Sequence, residues 1–380
     1  MYFVRDISLM RYVPSGRDKK EEKKNMKFIH TGDLHLGYKY SSSFSSDTLN
    51  KLMENQKKVL SNIIDLSIEK SVDALLIAGD LFDTKNPDSS LTDFVLSEFK
   101  RANCNIFIIC GNHDPLTFDS VYSNTLFPEN VYIFGEEITK VSFDDYDIYG
   151  YSFTNIHKTN NSFAGFKVLN DDKINIMLAH GDLVADSFYN PIMPSDIEKS
   201  GLSYLALGHI HIDNGIKRLG NTYYGYCGTP QGSTFKETVK AKVICGEITS
   251  SHFDYEEIEV CEHSFAEVNV DISGAENSDE ITGILKAALS EYDISQTLFT
   301  INLTGYLKDG ITVDTEYIIS KFPAILYMDI KKNLRIKYNI ELLIKEQSLR
   351  GEFIRNAFEF LKDKDEDYIE KVIKYGVSRL

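Results

Sequence analysis

The chain has 380 residues, 42% hydrophobic and 26% charged, which excludes global disorder and fibrous repeats and leaves room for one large domain with an appendage or two ordinary ones. Its formal net charge of −16 argues against a broad basic surface for nucleic acid, although a local positive site is compatible with it. Apolar runs such as Asn105–Cys110 are too short to cross a bilayer, and Cys104, Cys110, Cys227, Cys245 and Cys261 have no paired spacing, so a cytoplasmic protein without membrane spans, disulfides or a thiolate zinc site is expected.

Residues 1–25 show no helical or strand periodicity, and Lys19-Lys20-Glu21-Glu22-Lys23-Lys24-Asn25 immediately precedes Met26. Lys and Glu codons are purine-rich, so the run reads as a translated ribosome-binding site with Met26 the natural start, the alternative being a solvated, mobile tail; on either reading residues 1–25 have no assigned function. The intact mass of the natively expressed protein checks whether Met26 is the start.

From Met26 the pattern is strand then helix. Lys27–His30 is a short apolar strand, and Leu49–Glu69 carries Leu52, Val59, Leu60, Ile63, Ile64 and Leu66 at helical spacing. Asp73–Ala78 reads as a buried strand, Leu91–Arg101 as a helix with Phe94, Val95 and Phe99 inward, and Asn105–Cys110, Lys173–Ala179 and Tyr204–Leu207 as further strands. Continuous apolar strands alternating with helices predict an α/β sheet buried on both faces by crossover connections. Lys140–Phe153, Thr222–Tyr226, Ala241–Ile248 and Phe253–Val260 alternate as antiparallel strands do.

The residues just after each apolar run are the informative ones. The five runs lead into Thr31-Gly32-Asp33-Leu34-His35-Leu36-Gly37, Gly79-Asp80-Leu81-Phe82-Asp83, Gly111-Asn112-His113-Asp114, His180-Gly181-Asp182 and Gly208-His209-Ile210-His211. Singly, each reads as a turn with a structural polar residue. Five of them at strand ends, each beside a glycine, place Asp, Asn and His on the edge where open α/β sheets bind ligands. Packing gives no reason to concentrate such side chains there. Asp33, His35, Asp80, Asn112, His180, His209 and His211 form a nitrogen/oxygen set without thiolate, suited to manganese, iron or zinc more than calcium. Seven ligands exceed what one substrate-binding ion can use, whereas two ions sharing a carboxylate suit in-line attack at phosphorus. Two divalent cations also make a pocket positive inside an acidic protein. His113 follows a presumed ligand, so it lies beside the site without needing to coordinate. Asp114 and Asp182 read as partners of the ligands or as turn residues.

In this order the motifs resemble the calcineurin-type metallophosphoesterase superfamily. Asp33-Leu34-His35-Leu36-Gly37, Gly79-Asp80-Leu81-Phe82-Asp83 and Gly228-Thr229-Pro230-Gln231-Gly232-Ser233-Thr234-Phe235-Lys236-Glu237 narrow the resemblance to SbcD-type DNA repair nucleases, the shorter YhaO-like bacterial exonucleases above all. The resemblance covers Met26–Ile248 and is only topological beyond it. It implies a four-layer fold with two central mixed sheets flanked by helices. It also implies that Asp33, His35 and His211 bind one ion, Asn112, His180 and His209 the other, and that Asp80 bridges them. The ions would be two divalent cations, manganese first, with magnesium, iron or zinc as alternatives. His113 would be the catalytic histidine that protonates the leaving oxygen or stabilises the transition state, oriented by Asp83, a position where some nuclease relatives have another residue.

After Val260, Phe265–Ile272 (strand), Asp279–Tyr292 (helix), Thr297–Leu307 (strand), Thr315–Lys321 (helix) and Ala324–Tyr338 (strand or strand pair) spell a β-α-β-α-β unit. It resembles the small α+β capping domain that SbcD-type nucleases place beside the active site. Residues 339–380 are helical, with one stripe of Phe353, Ile354, Ala357 and Leu361 and another of Tyr368, Ile369, Val372 and Ile373; short helices need something to pack on, and the resemblance implies an SbcC-like coiled-coil ATPase. The expected organisation is therefore an extension (1–25), a nuclease domain (26–262), a capping domain (263–338) and C-terminal helices (339–380). Lys39, Lys85, Lys158, Arg218 and Lys236 are the few basic residues near the motifs and read as solvated side chains. The resemblance implies DNA as the substrate and allows a homodimer. A phosphatase or phosphodiesterase for small molecules or phosphoproteins is the alternative, and a non-catalytic binding protein the third reading.

Overall fold

The computed structural model describes residues 25–380 apart from 43, 169–171, 213–214, 236, 238–240, 250–251, 309, 338–339, 378 and 380. The expected extension, except Asn25, and Lys236 lie outside the described residues. The chain divides into two compact units, one ending at Phe265 and the other beginning at Ala266.

In the first unit β1 (Asn25–Thr31), α1 (Ser46–Glu69), β2 (Ala74–Ala78), α2 (Ser89–Arg101), β3 (Asn105–Ile109), α3 (Val121–Asn124) and β4 (Val131–Ile133) follow in order. The hydroxyl of Ser45 caps α1 by accepting from the Thr48 amide at 3.1 Å, and Asp88 caps α2 through the Leu91 amide at 2.8 Å, each satisfying an amide that the first helical turn leaves unpaired. Next come β5 (Thr139–Ser142), β6 (Tyr146–Gly150), β7 (Ile174–His180), α4 (Pro194–Lys199), β8 (Tyr204–Gly208), β9 (Lys217–Leu219), β10 (Thr222–Tyr226), β11 (Lys242–Thr249) and β12 (Phe253–Glu259).

These strands form two six-stranded mixed sheets, ordered β12-β11-β1-β2-β3-β4 and β5-β6-β7-β8-β10-β9. Phe28, Leu76 and Phe107 of the first sheet share a core with Ile148, Ile176, Leu178 and Tyr204 of the second, so the inner face of each sheet is covered by the other sheet. Val59 and Ile63 of α1 and Val95 and Phe99 of α2 cover the outer face of the first sheet. Ile197 of α4, with Phe163 and Ile192, covers Met177, Leu205 and Leu207 of the second. The fold is α/β in four layers. Crossover helices bury only the outer faces, because sheet packs on sheet inside.

β10 departs from the expected direction: it pairs parallel with β8, Tyr223 opposite Tyr204, and antiparallel with β9. Side-chain alternation reports which face is buried, not which way the neighbour runs. Phe94 is only partly buried, and Leu91 takes the inner position.

The second unit contains β13 (Ser264–Asp271, whose first two residues belong to the first unit), α5 (Ser278–Ala288), β14 (Thr297–Lys308), α6 (Thr315–Ser320) and β15 (Tyr327–Lys337). The sheet order is β13-β14-β15, with β14 and β15 parallel, and Ile281, Leu285, Phe299, Ile301 and Ile318 lie in its core. α7 (Ile340–Leu343), α8 (Leu349–Phe360) and α9 (Glu366–Val377) share a core of Leu343, Ile354, Ala357, Ile369, Ile373 and Val377. Of the two predicted stripes, Phe353 and Leu361 are partly buried and Tyr368 is exposed.

Candidate metal centre

β1, β2 and β3 of one sheet and β7 and β8 of the other deliver their C-terminal ends to the same place. Beyond β1 and β2 the loops continue side by side: the Asp33 amide donates to the Gly79 carbonyl at 3.0 Å, His35 to Asp80 at 3.0 Å and Leu36 to Leu81 at 2.9 Å. Asp33 and His35 thereby face Asp80 and Asp83. The turns are sharp. Asp33, His35, Asp80 and His209 have φ of 50°, 45°, 48° and 101°, a region that side-chain-bearing residues enter at a cost of about 1–3 kcal/mol each and that clusters at functional sites. Two glycines make the approach possible: a methyl on Gly79 would run into the His180 ring, and one on Gly111 into the Asp80 carboxylate.

The seven predicted side chains converge. Asp33, His35 and His211 each offer an atom within 4.8 Å of the others, as do Asp33, Asp80 and His180, and His35, Asp80 and His113. His35 Nε2 lies 3.1 Å from His211 Nε2. Asn112 Oδ1 lies 3.0 Å from His180 Nε2 and 3.1 Å from His209 Nδ1. Asp80 Oδ2 stands between these groups, 3.7 Å from His35 Nε2 and 3.5 Å from His180 Nε2. Donor atoms about 3 Å apart match ligands that share one ion at about 2.0–2.2 Å.

Tautomers point the same way. His180 Nδ1 lies 2.9 Å from the Ala78 carbonyl and His211 Nδ1 2.7 Å from Glu237 Oε1. Each ring thus donates outward and turns its Nε2 lone pair into the cavity. Asp33 and Asp80 are almost wholly buried. Burial pushes Asp33 above the ordinary carboxylate range. Burial acts likewise on Asp80, but His180 and His35 outweigh it and hold that group below the range. Burial lowers His180, yet the Asp80 and Asp33 carboxylates bring it up to about 9. Two buried carboxylates need positive charge beside them, so a proton and a divalent cation compete for the His180 lone pair. The donor chemistry fits hard or borderline divalent cations.

His113 joins from the open side, its side chain 46% exposed and its Nδ1 3.4 Å from Asp83 Oδ1. Its amide donates to Asp80 at 2.9 Å. Asp83 also lies 3.3 Å from His35 Nδ1; burial raises it, but the neighbouring His113 and His35 rings prevail and bring it down to about 2. The same contact raises His113. Asp114 is fully buried and accepts from the amides of Gly111 and Phe82 and from the Tyr122 hydroxyl, at 2.9, 3.0 and 2.5 Å, so it ties the third motif loop to the second. Asp182 stands 3.6 Å from His209 Nε2.

Among the described residues, Lys39, Lys85, Lys158 and Arg218 make none of this cluster's hydrogen bonds. Lys39 is exposed, Lys85 pairs with Asp119 at 2.8 Å, Lys158 donates to the Ser152 carbonyl at 3.2 Å and Arg218 to Gly220 at 3.1 Å. Glu237, which contacts the His211 ring, has no role in the sequence motifs. Its signal is the Ser233–Glu237 segment after the last histidines, but spacing cannot show which atom it grips.

A profile of the family described as calcineurin-like phosphoesterase matches residues 26–213. The chain is 27% identical over 281 residues to the metallophosphoesterase YhaO of Bacillus subtilis (strain 168), covering 70% of this chain and 68% of that protein. It is 24% identical over 366 residues to the DNA double-strand break repair protein Mre11 of Sulfolobus acidocaldarius, covering 91% of both. It is 23% identical over 253 residues to a component of the SbcCD nuclease of Staphylococcus epidermidis, covering 57% of this chain and 64% of that one. No helix among the described residues is long and apolar enough to cross a membrane. With these candidate ligand side chains gathered at the carboxyl ends of its strands, the chain carries a calcineurin-like metallophosphoesterase domain over residues 26–213, the domain of a metal-dependent phosphoesterase.

Proposed function

We propose that the chain is a manganese-dependent DNA nuclease that hydrolyses phosphodiesters with two divalent cations, an exonuclease working in DNA repair with an SbcC-like ATPase. One observation carries the reading: seven Asp, Asn and His side chains from five strand ends gather in one cluster, Asp33 within 4.8 Å of its neighbours' donor atoms and the other six with neighbouring donor atoms 3.0–3.7 Å apart. Relatives named for double-strand break repair and for nuclease activity supply the substrate class.

In this reading Asp33, His35 and His211 hold one cation, Asn112, His180 and His209 the other, and Asp80 reaches both. When bound, the pair neutralises charge on the phosphoryl group and activates water for in-line attack. His113 works on the open side of the cavity: Asp83 engages its Nδ1, which leaves Nε2 to carry a proton to the departing oxygen. α8 and α9 bury Ile354, Ala357, Ile369 and Ile373 in one core and leave Phe360 and Tyr375 exposed at 81% and 69%, apolar side chains open to a helical ATPase segment.

The test offers the purified chain, with manganese, single- and double-stranded DNA and an aryl phosphodiester. Degradation of DNA is the expected result. Turnover of the aryl ester alone would replace the reading by a small-molecule phosphodiesterase, and turnover of neither by a non-catalytic binding protein.

A further inference from the structure

Glu237 touches two parts of the first unit at once. Its Oε1 stands 2.7 Å from His211 Nδ1, while its Oε2 accepts from the Ser233 amide at 2.6 Å and the Thr234 amide at 3.2 Å. The carboxylate is therefore wrapped by its own loop on one side and fixed to an imidazole on the other. That loop is pinned elsewhere too. The Thr229 hydroxyl donates to the Asp33 carbonyl at 2.9 Å, the Gln231 amide group meets the Tyr40 hydroxyl, and the Phe235 ring lies 5.1 Å from Phe265 and 6.4 Å from Phe44. The loop's shape thus sets where the Glu237 oxygen stands, and that oxygen decides which His211 nitrogen bears the proton and which way the ring turns.

Resting on the two-cation reading above, we propose that Glu237 is a positioning residue that fixes His211 for the cation shared with Asp33 and His35, and that it couples occupancy of this cation to the order of the Ser233–Thr234 turn. An imidazole that donates Nδ1–H to a carboxylate is a stronger, better-aimed ligand through Nε2, and losing such a partner typically costs about 10- to 100-fold in metal affinity. The Asn112/His180/His209 group makes no contact with Glu237 among the described residues and keeps its own outward partner in the Ala78 carbonyl, so the effect is confined to one cation of the two.

Manganese alone, titrated calorimetrically into the full chain and followed by electron paramagnetic resonance, reads this directly. The wild type takes up two ions and shows the spectrum of an exchange-coupled pair. Glu237→Ala takes up one ion within about twofold of wild-type affinity and the second about 10- to 100-fold more weakly, and at one equivalent it shows the six lines of an isolated ion. Glu237→Gln keeps a neutral acceptor for His211 and falls between the two, which a general collapse of the site would not produce. Manganese slows hydrogen exchange at the Ser233 and Thr234 amides in the wild type and not in Glu237→Ala. Unchanged affinity for both ions in the variants, or equal weakening of both, overturns the proposal. Should Glu237→Ala not fold, Glu237→Gln decides: a loss of at least about threefold confined to one ion upholds the proposal, and no loss overturns it. A wild type that binds fewer than two manganese ions sinks the two-cation reading itself, a failure distinct from that of Glu237.

Discussion

His113 and Asp83 separate chemistry from coordination. Asp83 lies 3.4 Å from His113 Nδ1 and 3.3 Å from His35 Nδ1, so one carboxylate orients a ring that would bind metal and a ring that would move a proton. His113 is also the half-exposed member of the set, and its amide, not its ring, is what Asp80 grips. Replacing the ring leaves that amide in place. His113→Ala should therefore bind two manganese ions as the wild type does while losing about 10²–10⁴-fold in turnover. Calorimetry and a nuclease assay on the same preparation check both halves. Normal cleavage would remove the assignment, and loss of an ion would make His113 a ligand.

At the scale of elements, the site depends on two sheets held face to face. Phe107 of β3 lies in that seam, fully buried, with Tyr132 5.2 Å away in a stacked pair and Phe143 6.0 Å away edge-on. Phe107→Ala should cost about 3–5 kcal/mol and lower the melting temperature of the first unit by roughly 10 °C. Manganese binding at lower temperature should survive, because Asn112 follows at the far end of the same strand. Scanning calorimetry decides, and a shift of only about 1 °C would mean that the seam relaxes around the loss. This architecture also explains what the sequence could disclose. β2 and β7 are buried along their whole length, so they appear as unbroken apolar runs, and the glycine-flanked Asp, Asn and His after them stand out. α3, α4, β4 and β9 have three to six residues each, less than a repeat of either period needs to become visible. The direction of β10 and the grip of Glu237 depend on neighbours distant in the chain, which no local pattern encodes.

For the whole molecule, acidity has a consequence separate from catalysis. His30 of β1 is fully buried, its Nδ1 2.9 Å from the Tyr204 hydroxyl of the opposite sheet. Burial brings it from 6.5 down to about 3. Below pH 6.5 the unfolded chain takes a proton that the folded chain refuses until about pH 3. Unfolding then binds a proton, and stability falls as the pH falls through this window. Over the interval from pH 7.5 to pH 5 this one group should remove about 2 kcal/mol, since each unit of displaced titration is worth about 1.4 kcal/mol. His30→Gln loses the imidazole contact to Tyr204 at every pH and is less stable at pH 7.5, but it carries no group that titrates there. Its stability should therefore decline less steeply than the wild type's, the gap narrowing by about 2 kcal/mol at pH 5. Denaturant titrations of both proteins at several pH values, with a chelator present so that metal affinity does not contribute, measure this narrowing, and parallel curves would mean that the His30 ring takes up its proton inside the fold.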